Sequence, residues 1–313
     1  MISAMKKNWT MRTDRILSFA WAIAISGVLL AQRPSPAPAQ TKSVLVTGGT
    51  VHVGDGKVID DGAVGFRNGR IDYVGYNYGV TAVYDTVIDV KGRHVYPGII
   101  APDSPLGLLE VEQIRATSDI QDLGGMEPEL RAIPAYKADS RVIPTVRSNG
   151  VLMAQIAPQG LTIAGTSSIV QLDAWDGDAA LIRSGDGVFM TWPAAYQRSG
   201  WWAEPGETDS EKKDERAKKI EEIRTFIRKA KAYAQAPPPV VKDPRMESMR
   251  PLFTGSASLF VRANAAREII EAVQLAKAEG IKRTVIVGGY DAWRVADLLR
   301  ENKVDVILRR VDD

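Results

Sequence analysis

The sequence contains no cysteine and only two histidines, His52 and His94, among its 313 residues. The lack of cysteine excludes disulfide bonds and thiolate metal sites, and it is compatible with any redox compartment. Two histidines cannot supply a binuclear metal site that needs four imidazoles, and both fall in a β-rich region where we expect structural roles. The net charge of +2 gives no reason to expect nucleic acid as a partner.

Residues 1–39 have the pattern of a secretory signal peptide. The basic residues that come first are Lys6, Lys7, Arg12 and Arg15. The apolar stretch from Ile16 to Ala31 is shorter than the ~20 residues that cross a bilayer, and Ala37-Pro38-Ala39 offers small residues for cleavage. We therefore expect an exported protein, periplasmic or secreted, without a membrane span after signal removal. A retained, uncleaved anchor is the alternative.

Residues 43–96 have the pattern of short β-strands. Apolar runs at 44–46, 63–66, 71–74 and 87–90 alternate with glycine-containing turns. Asn68-Gly69 between two such runs is typical of a type I′ hairpin turn, because both central residues of that turn need a positive φ. A segment of this length cannot enclose a large core, so we expect a small β-sandwich packed on a larger domain.

From Pro97 to residue 313, strands alternate with helices. Predicted strands lie at 151–156, 169–172, 259–261, 284–287 and 304–308, and predicted helices at 265–279 and 292–301, with Asn264 and Asp291 as their N-caps. This alternation predicts an α/β fold with a parallel sheet or a (β/α) barrel. An inserted helix at 209–236 is densely charged with both signs, which favours a solvated outer helix. Its narrow apolar stripe consists of Ile220, Ile223, Ile227 and Ala230.

The passage from the strands into the barrel resembles the amidohydrolase superfamily, in particular its imidazolonepropionase-like members. The residues that carry the resemblance are Val44 through Gly62, Asn68-Gly69-Arg70-Ile71, Val74-Gly75, Ile88-Asp89-Val90, Gly92 and Pro97-Gly98-Ile99-Ile100-Ala101-Pro102-Asp103-Ser104-Pro105. The resemblance covers residues 43 to about 308. It implies a composite β-sandwich followed by a (β/α)8 barrel that holds zinc or another divalent metal. It further implies hydrolysis of carbon–nitrogen bonds in cyclic or linear amides by metal-activated hydroxide.

The metal ligands that the resemblance implies are replaced in this chain. The His-x-His of the first barrel strand falls on Asp103 and Pro105, and the histidine of the fifth strand falls on Arg262. The histidine of the sixth strand falls on Gly288 or Gly289, and the aspartate of the eighth would lie beyond the last residue. Proline and glycine have no ligand atoms in their side chains, and arginine stays cationic and repels a metal. We therefore predict that the usual metal site is lost, and we predict no cofactor.

Two interpretations of the barrel stay open. In the first, an enzyme uses a different set of residues, with Asp103 and Arg262 as catalytic candidates. The residues predicted to bind its substrate are Ser104, Arg262, Asn264, Gly288 and Gly289. In the second, hydrolysis is lost and the chain is a ligand- or partner-binding protein of the cell envelope, with an anionic or aromatic small molecule near Arg262. Neither interpretation fixes the oligomeric state, and a homo-oligomer is compatible with both.

The barrel segment is short for its fold. From Pro97 to Asp313 there are 313 − 97 + 1 = 217 residues, against about 250 in a typical barrel. Strands that return to the sandwich, as the family implies, are not visible after residue 308. We therefore expect an incomplete barrel, and truncation of the gene or of the recorded sequence stays open.

Overall fold

The computed structural model describes residues 35–122, 124–160, 162–195, 209–237 and 239–309. The chain divides into two units, Met1–Pro38 and Ala39–Asp313, and all elements given below belong to the second. The basic and apolar parts of the predicted signal peptide lie outside the described residues. Of the helices in the described ranges, none combines the length and the apolar character that a membrane crossing requires.

The first sheet contains five strands, and a tight hairpin turn joins two of them. Its strands are β1 (Val44–His52), β2 (Val58–Arg67), β3 (Arg70–Tyr76), β4 (Thr86–Asp89) and β5 (His94–Val95). Their order is β3-β2-β1-β4, with β5 also paired to β1. Asn68 and Gly69 have φ angles of 53° and 71°, so the predicted hairpin turn is confirmed. The described strands within residues 43–96 form one five-stranded sheet, which is consistent with the small β-domain predicted to precede the barrel.

The second sheet has seven strands in the order in which they follow along the chain. They are β6 (Ile99–Ser104), β7 (Val151–Ile156), β8 (Ile163–Gln171), β9 (Leu181–Thr191), β10 (Ser258–Ala263), β11 (Thr284–Gly288) and β12 (Asp305–Leu308). Neighbouring strands are parallel except that β8 is antiparallel to both β7 and β9. The fold is therefore α/β, with a small sheet followed by a nearly closed, mixed, barrel-like sheet.

The reversal of β8 departs from a uniform alternation of strands and helices. A parallel connection needs a dozen or more residues, usually a helix. The links 157–162 and 172–180 on either side of β8 are shorter than that. Since β7 and β9 still point the same way, six of the seven strands direct their carboxyl ends to one edge of the sheet. We call this edge the mouth.

Six α-helices accompany the sheets in the described ranges. They are α1 (Val142–Ser148), α2 (Gly177–Ala180), α3 (Asp209–Gln235), α4 (Pro244–Thr254), α5 (Ala266–Glu279) and α6 (Ala296–Glu301). Helices α3, α4 and α5 pack against one face of β9 to β11 in the largest apolar core. On α3, Ile223, Ile227 and Ala230 are fully buried in that core, which confirms the predicted stripe.

Strand alternation divides the barrel residues between two cores. Leu259 and Val261 of β10 face the helices, whereas Phe260 belongs to a separate core with Phe189 and Val287. Successive side chains of a strand point to opposite faces, so Arg262 lies on the same face as Phe260. This inner face, together with the mouth, positions the candidate site.

The first turn of α5 is capped differently from the prediction. Its N-cap is Ala265, not Asn264, and the Glu268 carboxylate accepts hydrogen bonds from the backbone N–H groups of both residues. Asp291 was predicted to cap a helix at 292–301, and it is the N-cap residue of the 3₁₀ turn (Ala292–Val295) that precedes α6, without a side-chain hydrogen bond to that turn. The Asp291 carboxylate accepts from the backbone N–H of Ala266 and so caps α5. The unpaired N–H groups of the first turn donate to whichever carboxylate the tertiary fold brings near.

Candidate functional site

Asp103 lies at the mouth, near the carboxyl end of β6, with its side chain almost fully buried. Its φ angle is 44°, a left-handed conformation that is uncommon for residues other than glycine. The pairing of β6 with β7 shifts register between Ala101 and Ser104, so a bulge contains Asp103. Bulges change the direction of a side chain relative to a regular strand. Asp103 therefore has a backbone conformation that the surrounding fold must maintain.

The Asp103 carboxylate is shared by two guanidinium groups. Oδ1 accepts a hydrogen bond from Nη2 of Arg262 at 2.6 Å, and Oδ2 accepts from Nη2 of Arg309 at 2.7 Å. Arg262 is the penultimate residue of β10 and its side chain is 9% exposed, whereas Arg309 follows β12 and its side chain is 50% exposed. We call these three residues the arginine–aspartate triad. Its formal charge is +1, because one carboxylate balances only one of the two cations.

The Arg262 guanidinium is held on several sides. Its Nη2 also donates to the carbonyl oxygen of Pro158 at 2.8 Å. Its Cζ lies 4.8 Å from the centre of the Phe189 ring, a cation–π contact. The ring of Phe189 in turn stacks on Phe260, with centroids 4.5 Å apart. Arginine forms planar, stacked contacts of this kind that lysine cannot reproduce.

Two nitrogen atoms of Arg262 lack an acceptor. Nε and Nη1 are buried and have no hydrogen-bond partner among the described residues. A buried donor without an acceptor costs about 1–3 kcal/mol, and more when the group is charged. An oxygen atom of a ligand or of a water molecule at this position would remove that cost.

A second polar chain extends from Asp103 into the sheet. The Asp103 backbone N–H donates to Oε1 of Gln155, and Nε2 of Gln155 donates to Oδ2 of Asp186 at 2.6 Å. Oδ1 of Asp186 accepts from the Ser167 hydroxyl at 2.9 Å. Gln155, Asp186 and Ser167 are all buried. Side-chain hydrogen bonds thus connect β6, β7, β8 and β9 on the inner face.

A cleft of about 280 Å³ adjoins the triad. Most of its lining comes from the connection between β6 and β7, which leaves the sheet at the mouth. Pro158 lines the cleft, and its carbonyl oxygen is the acceptor of Arg262. The charged side chains in its lining are two arginines, Arg115 and Arg131, and two aspartates, Asp119 and Asp122. Asp119 pairs with Lys137 at 3.2 Å.

The structure brings the two catalytic candidates, Asp103 and Arg262, into direct contact. The Ser104 hydroxyl accepts from the backbone N–H of Leu106 instead. Asn264 is exposed, and a side chain at Gly288 would approach its Oδ1 to 2.4 Å.

Gly288 and Gly289 have φ angles of 100° and 62°. A side chain at Gly289 would meet Cγ1 of Val306 at 2.8 Å. Both glycines are thus required by close packing and by their backbone conformation, independently of any substrate.

The side chains at the implied metal-ligand positions do not fit a divalent cation. Both carboxylate oxygens of Asp103 already accept hydrogen bonds from guanidinium groups. Pro105 and Gly288 have no ligand atoms in their side chains, and Arg262 cannot be deprotonated in a protein. A divalent ion placed beside Asp103 would face two positive charges within a few ångströms, in a buried setting that strengthens repulsion. Across the described ranges, no three His, Cys, Asp or Glu side chains are grouped as metal ligands would be.

Sequence reasoning missed Arg309 and the buried polar chain. Arg309 follows directly after the predicted strand at 304–308. A search for charged residues at the carboxyl ends of barrel strands could therefore have found it. Gln155, Ser167 and Asp186 gave no such signal, because each lies within a strand and the hydrogen-bonded pairs among them are 31 and 19 positions apart. Only the folded sheet brings them together.

Comparison with known proteins shows the fold. No family model and no curated protein matches the chain. The structure is similar to an amidohydrolase from Thermotoga maritima MSB8, with a TM-score of 0.70 and 20% identity, over 86% of this chain and 70% of that one. A prolidase complexed with N-methylphosphonate-L-proline gives a TM-score of 0.42 at 15% identity, over 85% of this chain and 66% of that one.

An N-acyl-D-glutamate deacylase from Bordetella bronchiseptica, complexed with zinc and a phosphonate inhibitor, gives a TM-score of 0.36 at 13% identity, over 86% of this chain and 58% of that one. Scores of 0.42 and 0.36 are too low to establish a shared fold, whereas 0.70 over most of the chain establishes one. The chain therefore shares the fold of the Thermotoga maritima protein, and the arginine–aspartate triad lies at the mouth of that fold.

Proposed function

We propose that this protein binds a small anionic molecule at the mouth and does not carry out metal-dependent hydrolysis of carbon–nitrogen bonds. The observation that carries the proposal is the double engagement of Asp103 by Arg262 and Arg309. The carboxylate that would serve as a metal ligand is occupied by two permanent cations. The alternative with retained catalysis would need a different activating group for the attacking water.

The described side chains offer no such group. Both histidines lie in the first sheet, at the end of β1 and in β5. The Ser167 hydroxyl is fully buried and donates a hydrogen bond to Asp186. Its hydrogen-bond partner is therefore a carboxylate and not an imidazole. A serine nucleophile depends on an adjacent base. The residues at the mouth are therefore better suited to binding than to hydrolysis.

An anion is the ligand that the charges favour. The triad has a formal charge of +1, and Arg262 retains two buried N–H donors without acceptors. A carboxylate or phosphate oxygen would accept these bonds and neutralise the excess charge. Hydrogen bonds to charged groups contribute about 1.5–3 kcal/mol each.

We also propose that the protein works outside the cytoplasm. The support is the signal-like pattern of residues 1–39, with a basic start, an apolar stretch and small residues at 37–39. N-terminal sequencing of the protein recovered from a periplasmic fraction would test this. Cleavage after Ala39 is expected, and a full-length chain retained in the membrane would overturn it.

Calorimetric titration with succinate, inorganic phosphate and the uncharged diamide succinamide tests the proposed ligand class. The wild-type protein should bind one or both anions and should show no binding of succinamide. Arg262→Gln should weaken binding at least tenfold, because it removes the orphan donors. Arg300→Gln, which alters an exposed arginine on α6, is the matched control and should bind as the wild type does. Circular dichroism checks that both variants are folded.

Two results would overturn the proposal. The first is equal binding by the wild type and by Arg262→Gln. The second is release of ammonia or an amine from an amide substrate that requires added zinc, nickel or manganese and is lost in Asp103→Asn. The first result would indicate that Arg262 does not bind the ligand. The second would indicate that the mouth is a metal-dependent catalytic site.

A further inference from the structure

The only two histidines of the sequence contact each other. His52 ends β1, and His94 begins β5, which pairs in parallel with β1. Nε2 of His52 lies 3.0 Å from Nδ1 of His94, although 42 positions separate the two residues. In the neutral pair, one ring nitrogen donates a proton and the other accepts it.

The backbone and one aromatic ring hold this pair in place. Thr50 pairs with His94 in the sheet, and the backbone N–H of Thr50 donates to the carbonyl oxygen of Arg93 at 3.0 Å. The ring of Tyr96 stacks on His52, with centroids 4.2 Å apart and planes inclined by 10°. The orientation of both imidazoles is therefore set before any ligand arrives.

We propose that His52 and His94 form a surface site for Cu²⁺ or Ni²⁺. On binding, the proton of the shared hydrogen bond would move to the other nitrogen of its own ring, so that both imidazoles stay neutral and each offers a lone pair to the metal. With metal–nitrogen bonds of about 2.0–2.1 Å, a nitrogen separation of 3.0 Å corresponds to a bond angle of roughly 90–97° at the metal. Such an angle suits two adjacent positions of a square-planar or tetragonal ion, which is the geometry of Cu²⁺ and Ni²⁺.

The same angle is less suitable for zinc, whose structural sites are tetrahedral. His94 is exposed and His52 is half-buried, so water can fill the remaining coordination positions. In the part of the chain that the structure describes, no third His, Cys, Asp or Glu completes the group. The site therefore has two protein ligands and exchanges its metal readily. It lies in the first sheet and does not depend on the proposed anion site.

Electron paramagnetic resonance of the full, tag-free chain with one equivalent of Cu²⁺ tests the site. The spectrum should show superhyperfine coupling to two nitrogens. His52→Gln and His94→Gln should each lose one nitrogen and weaken Cu²⁺ binding at least tenfold in calorimetry. Tyr78→Phe is the control, because Tyr78 is an exposed aromatic of the same domain outside the pair, and it should bind as the wild type does.

The double variant His52→Gln/His94→Gln separates this inference from the proposed function. Loss of Cu²⁺ and Ni²⁺ binding in the double variant supports the histidine pair. Equal Cu²⁺ binding by the wild type and the double variant, or a spectrum with one nitrogen, overturns it. Stoichiometric metal retained by the double variant and lost in Asp103→Asn would instead contradict the proposed function, because that metal would lie at the mouth.

Discussion

Arg309 donates two hydrogen bonds to Oδ2 of Asp103, from Nη2 at 2.7 Å and from Nε at 3.3 Å, although 206 positions separate the two residues. Asp103 belongs to β6 and Arg309 follows β12, which are the two outermost strands of the seven-stranded sheet. Within the described residues, these two strands share no backbone pairing. The ion pair therefore links the first and last strands of the sheet through side chains alone.

Removal of the Asp103 charge should destabilise the protein strongly. Asp103→Leu leaves the buried Arg262 without its counter-ion, and breaking a buried ion pair on one side costs about 3–5 kcal/mol. The additional change Arg262→Met should restore most of that loss, since an apolar pair of similar volume avoids the uncompensated charge. Urea unfolding of both variants measures the free energies. Strictly additive losses in the double variant would contradict this role of the triad.

The two arginines of the triad should differ in their effect on stability. Arg309 is half exposed, so solvent screens its attraction to Asp103, and exposed ion pairs contribute about 0–1 kcal/mol. Arg309→Gln should therefore change the free energy of unfolding far less than Arg262→Gln, which disturbs a buried guanidinium. Urea unfolding in low and high salt checks this, and only the contribution of Arg309 should decrease with added salt.

Glu271 should make the stability depend on acid pH. Burial raises the pKa of this carboxyl, but hydrogen bonds from Arg216, Arg267 and Trp192 outweigh it and hold the pKa below its ordinary value. A lowered folded-state pKa contributes stability that is present above the unfolded-state pKa and is lost as the pH falls through the folded-state pKa. Glu271→Gln should thus lower the melting temperature at pH 7 and have less effect at pH 3. The exposed Glu301→Gln should show no such pattern.

Tyr136 should ionise at a higher pH than an ordinary tyrosine. Burial raises its pKa to about 12, because a tyrosinate is poorly solvated inside the protein. The unfolded chain releases this proton near pH 10, so the stability contributed is complete below that pH and is lost as the pH rises toward 12. In an absorbance titration at alkaline pH, the tyrosinate signal that develops at the highest pH should be absent in Tyr136→Phe. The exposed Tyr78→Phe should keep that signal.

Gly107 should not tolerate a side chain. Its φ is 74°, and a Cβ atom would lie 2.5 Å from Cε2 of the buried Tyr136. Gly107→Ala should destabilise by about 1–3 kcal/mol from overcrowding, in addition to about 1 kcal/mol of backbone strain. Gly185→Ala is the matched control, with a φ of 64° and no atom within 4 Å of the added Cβ. It should show only the backbone strain in thermal unfolding, and equal losses would contradict the crowding.

Several features of the fold were predictable because they depend on neighbours in the sequence. Asn68-Gly69 specifies its turn through the positive φ that both residues adopt. Ile223 and Ile227 are buried on α3 because helical periodicity places them on one face. The reversal of β8 was not predicted, because the expected strand at 169–172 begins six residues after the observed start of β8 at Ile163 and leaves a link long enough for a crossover.

The cap of α5 was not predictable in the same way. Asn264 and Asp291 are both suitable cap residues, and each precedes a helical pattern. In the structure, the N–H groups at the start of α5 donate to Glu268 from within the helix and to Asp291 from the loop after β11. Which carboxylate reaches the orphan N–H groups depends on how adjacent strand–helix loops pack, and no local pattern contains that information.

The sequence by itself determined the α/β fold and the hairpin turn, because strand patterns and turn residues are local properties, and the family resemblance pointed to Asp103 and Arg262 as candidate site residues. Only the tertiary structure decided that Arg309 joins them and that His52 meets His94. Both contacts bridge distant segments whose separation is set by sheet curvature and strand order. Such contacts depend on the whole chain being folded, since charge and hydrogen-bond complementarity act only over a few ångströms.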